Sequence, residues 1–264
     1  MAFERELAVA RSAAREAADI LRRHYEEGTR VWEKGEDNPV TLADLEADDA
    51  IRKRLAAGFP DDAILSEERT SDASRLAALR VWIVDPMDGT KEFTRRIPEF
   101  AVSIALSLDG EPVVAAIRNP ILDVEITATR GGGTARNGAS VTLSKCRELA
   151  EAVLVVSRSE SERGEIDAYH DWFAEVRRVG SIAWKLACVA SGDGDFNFSV
   201  APKNEWDVCA GDLAIREAGG IYVDFDGHPR RYNQTKTGIA AGMAAGHEKL
   251  ISQFRERERS QDPR

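Results

Sequence analysis

Residues 81–90 hold the residue types best suited to chemistry. Four apolar residues that predict a buried strand are followed by Asp85-Pro86-Met87-Asp88-Gly89-Thr90. A strand delivers the side chains at its carboxyl end to the edge of the sheet where ligands of α/β proteins usually bind. Because Asp85 and Asp88 are three residues apart across a turn, their carboxylates can converge, with the Met87 carbonyl pointing the same way.

These two acids predict a site for a hard cation. Converging carboxylates repel each other unless a cation or a proton separates them. Ligands that are all oxygen suit Mg²⁺, so the segment predicts a magnesium site. The alternative is a turn whose acids are merely solvated, because short motifs often match by chance.

Further acids occupy comparable positions elsewhere in the chain. Glu67 follows a predicted strand at 63–65, and Glu205-Trp206-Asp207 opens a predicted helix. Asp44 lies near the start of another predicted helix, where its role could be limited to favourable electrostatics. Each acid alone is weak evidence, and together they strengthen the prediction of a metal site.

A second phosphatase motif also ends a strand and binds Mg²⁺, the Asp-x-Asp-Gly-Thr signature of haloacid-dehalogenase phosphatases. That chemistry needs a nucleophilic Asp two residues before the second Asp. Here Asp85 and Asp88 are three residues apart, with Pro86 between them. Asp85 is therefore not positioned as that nucleophile, and we reject this class.

Helical periodicity and turn signals predict the elements that position the acids. The first helix covers residues 3–26 and stops at Gly28. The second follows Thr41, an N-cap with Asp44 in the place of the capping-box acid, and runs to about residue 57. Short β-rich runs come next, at 63–65, 81–84, 102–108, 113–118 and 124–128. This half is expected to pack helices on a largely antiparallel sheet.

After about residue 150, strands and helices alternate, which is typical of an α/β unit. The predicted strands are 153–156, 176–179, 196–200 and 221–223, and the predicted helices are 165–173, 183–190 and 208–218. We predict an N-terminal α+β domain, residues 1–148, with most metal ligands, and a C-terminal α/β domain, residues 149–264, with Asp207 and the substrate-binding residues. The charged run after Arg255 is expected to fray.

Composition limits the classes of function. The chain has 264 residues, 43% of them hydrophobic, and a formal net charge of −10, which argues against a nucleic-acid polymer as partner. Three widely separated cysteines predict neither a disulfide framework nor a thiolate zinc site, and fit a reducing cytoplasm. The N-terminal residues predict an amphipathic helix rather than a signal peptide, and no apolar run could span a membrane. We therefore expect a cytoplasmic protein without a membrane partner.

Taken in order, the motifs resemble those of the inositol monophosphatase superfamily, the lithium-sensitive, Mg²⁺-dependent phosphatases. They are Val40-Thr41-Leu42-Ala43-Asp44, Ser66-Glu67-Glu68, Asp85-Pro86-Met87-Asp88-Gly89-Thr90, Trp206-Asp207-Val208-Cys209-Ala210-Gly211 and Glu217-Ala218-Gly219-Gly220. Their order along nearly the whole chain is more specific than any one motif. One departure is Ser66, where many inositol phosphatases have Gly. The resemblance implies the αβαβα layered sandwich of the sugar phosphatases.

The resemblance also implies which residues bind two or three Mg²⁺ ions. The first ion would be bound by Glu67, Asp85 and the Met87 carbonyl, the second by Asp85, Asp88 and Asp207, and a third with help from Asp44 and Glu67.

A catalytic set of Asp44, Glu67 and Thr90 follows from the same resemblance. A water between the ions near Glu67 would attack the phosphate, and Asp44 would accept a hydrogen bond from the Thr90 hydroxyl that orients this water. The second ion would stabilise the leaving alkoxide. The backbone amides of Gly89 and Thr90, just before a short predicted helix, are expected to bind phosphate oxygens.

Four local features resemble the 3′(2′),5′-bisphosphate nucleotidases, which remove the 3′-phosphate of 3′-phosphoadenosine 5′-phosphate. Lys91 opens the Lys-Glu-Phe run after Thr90, Arg158 lies in a Ser-Arg-Ser segment, and Lys185 matches a nucleotide-directed lysine. Val200 stands seven residues before Asp207, where many inositol phosphatases have a Glu that holds ring hydroxyls. A second phosphate would favour the cations Arg158, Lys185 and Lys203.

Other functions stay open at this stage. Ser181 lies in Gly180-Ser181-Ile182-Ala183, which resembles the Gly-Ser-x-Ala loop of inositol phosphatases and favours an inositol-1-monophosphatase. Fructose 1,6-bisphosphatase is a further alternative, and a non-catalytic regulatory protein that binds metal and phosphate is the alternative of another class. Members of the superfamily are often dimers, so the resemblance also includes a homodimer among the expected partners.

Overall fold

Helices and strands follow one another along the whole of the described chain. The computed structural model describes residues 2–35, 38–69 and 72–261. Its helices are α1 (Glu4–Glu27), α2 (Leu42–Gly58), α3 (Thr90–Thr94), α4 (Arg158–Glu162), α5 (Ile182–Ala190), α6 (Glu205–Glu217) and α7 (Glu248–Gln261). Its strands are β1 (Val31–Gly35), β2 (Asn38–Thr41), β3 (Ala63–Ser66), β4 (Arg80–Asp88), β5 (Ala101–Leu108), β6 (Glu111–Asn119), β7 (Val124–Thr129), β8 (Gly133–Arg136), β9 (Ala139–Val141), β10 (Val153–Ser157), β11 (Glu175–Val179), β12 (Phe196–Ser199), β13 (Lys203–Asn204), β14 (Ile221–Asp224), β15 (Gly238–Ile239) and β16 (Met243–Gly246).

The two N-terminal helices form where the sequence predicts them. Helix α1 ends at Gly28, whose φ of +96° is costly for any other residue. Helix α2 begins with the predicted capping box, because the Thr41 hydroxyl accepts from the amides of Ala43 and Asp44. In return Asp44 Oδ2 accepts from the Thr41 amide at 2.7 Å, which fixes the Asp44 carboxylate.

The N-terminal half contains a seven-stranded sheet in the order β3-β4-β5-β6-β7-β8-β9. All its pairs are antiparallel except β3 with β4, so the sheet is largely antiparallel, as predicted. Since β3 and β4 are parallel, their carboxyl ends lie at the same edge and bring Glu67 near Asp85. The β4–β5 ladder shifts register between Asp85 and Asp88.

The second half contains a five-stranded sheet in the order β11-β10-β12-β16-β14. Strand β10 is parallel to β11 and β12, whereas β16 is antiparallel to both its neighbours. Helices α5 and α6 share a hydrophobic core with strands of both sheets, and α1 and α2 pack on the opposite face of the first sheet. Helix α7 packs on the outer face of the second sheet. The layers are therefore αβαβα, which confirms the predicted fold.

The structure of the second half differs from the predictions at a helix, at the C-terminus and at a strand. The helix predicted at 165–173 is replaced by a short 3-10 helix, Asp167–Trp172, and helix α4 lies before it. Helix α7 continues past Arg255 to Gln261, because its apolar face buries Leu250, Ile251 and Phe254. Residues 262–264 of the charged run lie outside the described residues, and fraying there stays a prediction. Strand β16 was missed, since its small residues show no alternation. The domain boundary at 148/149 stays a prediction. Helices α5 and α6 follow it in the sequence, yet they pack on the first sheet.

Two features bear on the expectations from composition. Cys146, Cys188 and Cys209 are free thiols, and burial raises the pKa of Cys188 to about 12, so this thiol stays protonated. Within the described residues, no helix combines the length and the apolar character needed to cross a bilayer.

Close packing of α5 on α6 gives the first prediction. A Cβ on Gly211 would lie 2.6 Å from Leu186 Cβ, so Gly211→Ala must push the two helices apart. We expect a loss of about 1–3 kcal/mol in the free energy of unfolding, measured by urea denaturation. Gly238→Ala is the control, because nothing lies within 4 Å of the position that its Cβ would take. Equal unfolding midpoints for the two variants would contradict the close approach.

Candidate active site

A polar pocket of about 320 Å³ opens at the carboxyl end of β4. Its walls come from β4 and α3, from the segments that start α4 and α5, and from the approach to α6. The predicted site residues that line it are Glu67, Asp85, Met87, Asp88, Gly89, Thr90, Lys91, Ser181, Lys185, Lys203 and Asp207. Two predicted residues are not among the described lining residues, Asp44 and Arg158.

Three carboxylates from distant parts of the chain converge in this pocket. Glu67, Asp85 and Asp207 each offer one oxygen, and these oxygens all lie within 4.8 Å of one another. The first follows β3, the second belongs to β4, and the third lies in the first turn of α6. A set of carboxylate oxygens fits a hard divalent cation such as Mg²⁺.

The electrostatics of the cluster are unfavourable without a counter-charge. Burial, and then the charges of Glu67, Asp88 and Asp207, raise the pKa of Asp85 well above its usual value. The pKa of Asp207 is raised for the same reasons, burial first, although the Asn204 amide donates to it and opposes the shift. A cation among these oxygens would remove the repulsion and displace their protons.

Asp88 lines the same pocket but lies outside the three-carboxylate cluster. Its Oδ2 accepts from the Ser181 hydroxyl and from the Ala183 amide, both at 2.6 Å. Burial raises the pKa of Asp88, and the hydrogen bond from Ser181 and the charge of Lys185 partly oppose this. Ser181 itself has a φ of +54°, a strained conformation that its bonds to Asp88 and the Trp184 amide maintain.

Asp44 contacts the pocket through Thr90. The Thr90 hydroxyl lies 3.2 Å from Asp44 Oδ1 and 3.3 Å from the Met87 carbonyl, and its single proton can serve one acceptor at a time. Asp44 is 1% exposed, and its Oδ2 accepts from the Thr41 amide and hydroxyl. The predicted hydrogen bond between Thr90 and Asp44 is therefore present, and α2 holds its acceptor rigidly.

Two local features fix the backbone around the carboxylates. Gly89 has a φ of +100°, and a Cβ there would meet the Glu99 carbonyl oxygen at 3.1 Å, so this turn favours glycine. Ser66, the departure noted in the sequence, donates to the buried Asp48 at 2.5 Å. This bond ties the residue before Glu67 to α2.

The cations predicted to bind a second phosphate already have partners. Arg158 pairs with Glu99 at 2.6 Å, and Lys203 pairs with Glu160 at 2.9 Å. Lys185 is 3% exposed and donates to the Ser181 carbonyl at 3.0 Å. Burial lowers the pKa of Lys185, and the charge of Asp88 opposes this shift. Lys185 is therefore a buried lysine rather than a solvated one.

Sequence reasoning missed two acids in the pocket wall, Glu92 and Glu160. Burial raises the pKa of Glu92, which lies next to Lys91 in the run taken as a nucleotide signature. Glu160 follows Ser157 by three residues, and the Ser157 hydroxyl accepts from its amide at 3.3 Å. That Ser-x-x-Glu spacing was the one local signal for a helix start here.

Comparison with known proteins agrees with this architecture. The profile of the inositol monophosphatase family matches residues 3–259. The Nus factor SuhB of Escherichia coli is 33% identical over 256 residues, with 93% of this chain and 92% of that protein covered. An inositol monophosphatase of Dictyostelium discoideum is 35% identical over 220 residues, covering 79% and 80%. The structure of an inositol monophosphatase from Anabaena superposes with a TM-score of 0.82 at 28% identity, covering 100% of this chain and 98% of that one.

The raised pKa values give a prediction for stability. Because folding raises the pKa of Asp85 and Asp207, the metal-free protein should lose stability as pH rises above the usual carboxylate range, near 3.8. We expect its Tm to fall between about pH 5 and about pH 8 and Mg²⁺ to restore it, most strongly at the higher pH.

The matched variant is Asp85→Asn, which removes one charge at nearly constant volume. Without Mg²⁺ its Tm should exceed that of the wild type at neutral pH by a few degrees, roughly 2–4 °C for each kcal/mol of relieved repulsion, and its response to Mg²⁺ should shrink. Thermal melts with and without Mg²⁺ measure both effects. An undiminished response in the variant would argue against cation binding at this cluster.

Proposed function

The chain belongs to the inositol monophosphatase family, and on this premise we propose that it is a Mg²⁺-dependent phosphatase of small phosphate monoesters. One observation carries the proposal: three carboxylates converge beside a threonine hydroxyl that is hydrogen-bonded to a buried aspartate. This arrangement supplies both a cation site and a group that can orient a water.

In this proposal the carboxylates bind the cations. Glu67, Asp85 and Asp207 form the core of the site, with Asp88 and the Met87 carbonyl as further ligands of two or three Mg²⁺ ions. When bound, the cations supply charge that offsets the phosphate dianion and Lewis acidity that makes a nearby water easier to deprotonate.

The Thr90 hydroxyl orients the attacking water. When its proton is donated to Asp44 Oδ1 rather than to the Met87 carbonyl, the lone pairs of its oxygen can accept a hydrogen bond from a water in the pocket. Asp44 acts as the acceptor that keeps this orientation. The amides of Gly89 and Thr90 hold the phosphate so that the water attacks opposite the leaving oxygen.

Two substrate classes are candidates within this function. An inositol monophosphate is supported by the name of the relative from Dictyostelium and by the Gly-Ser-x-Ala loop around Ser181. A 3′(2′),5′-bisphosphate nucleotide is supported by Lys91, Lys185 and Lys203 in the pocket wall. Among the described lining residues none is aromatic, so the pocket offers no stacking partner for adenine there.

A regulatory role is the candidate of another class. Its support is the name Nus factor, which the relative from Escherichia coli carries. The filled catalytic set of Asp44, Glu67 and Thr90 favours turnover instead. Both roles could belong to one protein, so a phosphate-release assay tests the catalytic one directly.

Phosphate release from a panel of substrates tests the function. The panel contains inositol 1-phosphate, 3′-phosphoadenosine 5′-phosphate, fructose 1,6-bisphosphate and histidinol phosphate. We expect turnover of at least one, dependent on Mg²⁺, reduced by Li⁺ and abolished by EDTA, because the proposed chemistry needs the cation. Absence of turnover for all four with Mg²⁺, in protein whose Tm responds to Mg²⁺, would favour the regulatory alternative.

Substitution at Thr90 tests its proposed role. Thr90→Val keeps the shape but removes the hydroxyl, so we expect kcat to fall by about 10²–10⁴-fold while the Mg²⁺ concentration for half-maximal activity changes little. Thr90→Ser is the matched control, because it restores the hydroxyl and should recover most of the activity. Similar kcat values for the valine and serine variants would rule out a role for the hydroxyl.

A further inference from the structure

Glu160 is a buried carboxylate in the wall of the substrate pocket. It lies on α4, it is 1% exposed, and it is among the residues that line the cavity. Its Oε1 accepts from the Ser199 hydroxyl at 2.6 Å and from Lys203 Nζ at 2.9 Å. Its Oε2 accepts from the Val200 amide at 3.1 Å. These bonds tie the start of α4 to the segment that leads into α6.

The pair of Glu160 and Lys203 is neutral as a unit. Burial acts to raise the pKa of Glu160, but the charge of Lys203 and the hydrogen bonds from Ser199 and Lys203 outweigh it and lower the pKa overall. Glu160 is therefore ionised at neutral pH and cancels the charge of Lys203.

Lys203 is the more exposed member of the pair. Its side chain retains 16% exposure, against 1% for Glu160. It lines the same pocket as Asp88 and Asp207, the proposed cation ligands. Glu160 therefore holds a partly exposed cation of the pocket wall, which can meet a substrate group.

The other two cations named for a second phosphate are also opposed by carboxylates. Arg158 pairs with Glu99 and is not among the described lining residues. Lys185 is buried, and the charges of Asp88, Glu160 and Glu92 all act on it. A second phosphate beside Lys185 and Lys203 would meet cations whose charge is already offset, and it would approach the carboxylates of Glu92 and Glu160.

From these contacts, and resting on the proposed function, we infer that Glu160 is a specificity-determining residue that disfavours a second phosphate on the substrate by neutralising Lys203. The pocket then takes monophosphates whose organic part is uncharged and polar. Ser157 and Ser159, in the same wall, can hydrogen-bond such a group without a change of charge. Val200 stands where many inositol phosphatases have a Glu, so its side chain supplies no carboxylate. Glu160 places a carboxylate beside the backbone of Val200 instead.

The experiment compares substrates that differ only in a second phosphate. The pairs are adenosine 3′-phosphate with 3′-phosphoadenosine 5′-phosphate, and inositol 1-phosphate with inositol 1,4-bisphosphate. For each we measure kcat/KM with Mg²⁺, with the products separated by chromatography. In the wild type we expect the monophosphate of a pair to be the better substrate. In Glu160→Gln the ratio of bisphosphate to monophosphate should rise by about tenfold, since one negative charge is removed near the second phosphate.

Three variants separate specificity from structure. Glu162→Gln removes the same charge from the same helix at a position that is not among the lining residues, so the ratio should not change. Glu160→Asp keeps the charge and should keep the wild-type ratio. Lys203→Met combined with Glu160→Gln should cancel the gain, because the freed ammonium is its source.

The outcomes are distinct. A wild type that prefers the bisphosphate of both pairs overturns the inference, even if Glu160→Gln fails to fold, and leaves the proposed phosphatase function intact. A Glu160→Gln variant that loses activity equally on both members of a pair also overturns it, since Glu160 would then be only structural. If no substrate is turned over in the presence of Mg²⁺, the proposed function is contradicted, and this inference is contradicted with it.

Discussion

The repulsion among carboxylates that folding brings together is the constraint on which the rest of this structure depends. Glu67, Asp85 and Asp207 come from β3, β4 and α6, and folding brings their oxygens within 4.8 Å of one another. Such an arrangement costs free energy in the absence of a cation, so the fold must hold it by other means. The parallel pairing of β3 with β4 and the packing of α6 on the first sheet supply that support. The site is stable because its three acids lie on elements with large buried faces, not because they attract each other.

Much of the fold was predictable because its signals are local. The capping box at Thr41, the stop at Gly28 and the apolar run before Asp85 are each written in a few adjacent residues. The errors fall where tertiary context decides. The helix predicted at 165–173 gave way to a 3-10 helix, and α7 persists through a charged run because its apolar face is covered. Strand β16 consists of small residues between two neighbouring strands, and their pairing rather than any alternation defines it.

The candidate site was predictable to a similar degree. The ordered motifs identified the acids that converge, and the hydrogen bond from Thr90 to Asp44 was predicted in advance. The positive charge that the pocket offers a substrate was not predictable, because burial and neighbouring carboxylates decide how much of each cation's charge a substrate meets. Lys185 is buried, and Lys203 is neutralised by Glu160, a residue more than forty positions earlier in the chain. The cations named from the sequence therefore overstated the positive charge available to a substrate.

Asp44 serves a helix and a hydroxyl with the same side chain. Its Oδ2 accepts a hydrogen bond from the Thr41 amide at the start of α2, and its Oδ1 accepts one from the Thr90 hydroxyl. Asparagine cannot do both, since it has a single acceptor oxygen and must turn its NH2 group toward either the Thr41 amide or the Thr90 hydroxyl. Two selective pressures, one for folding and one for chemistry, thus fall on a single codon. In a saturation library, depletion at this position would carry no information about which of the two had been lost.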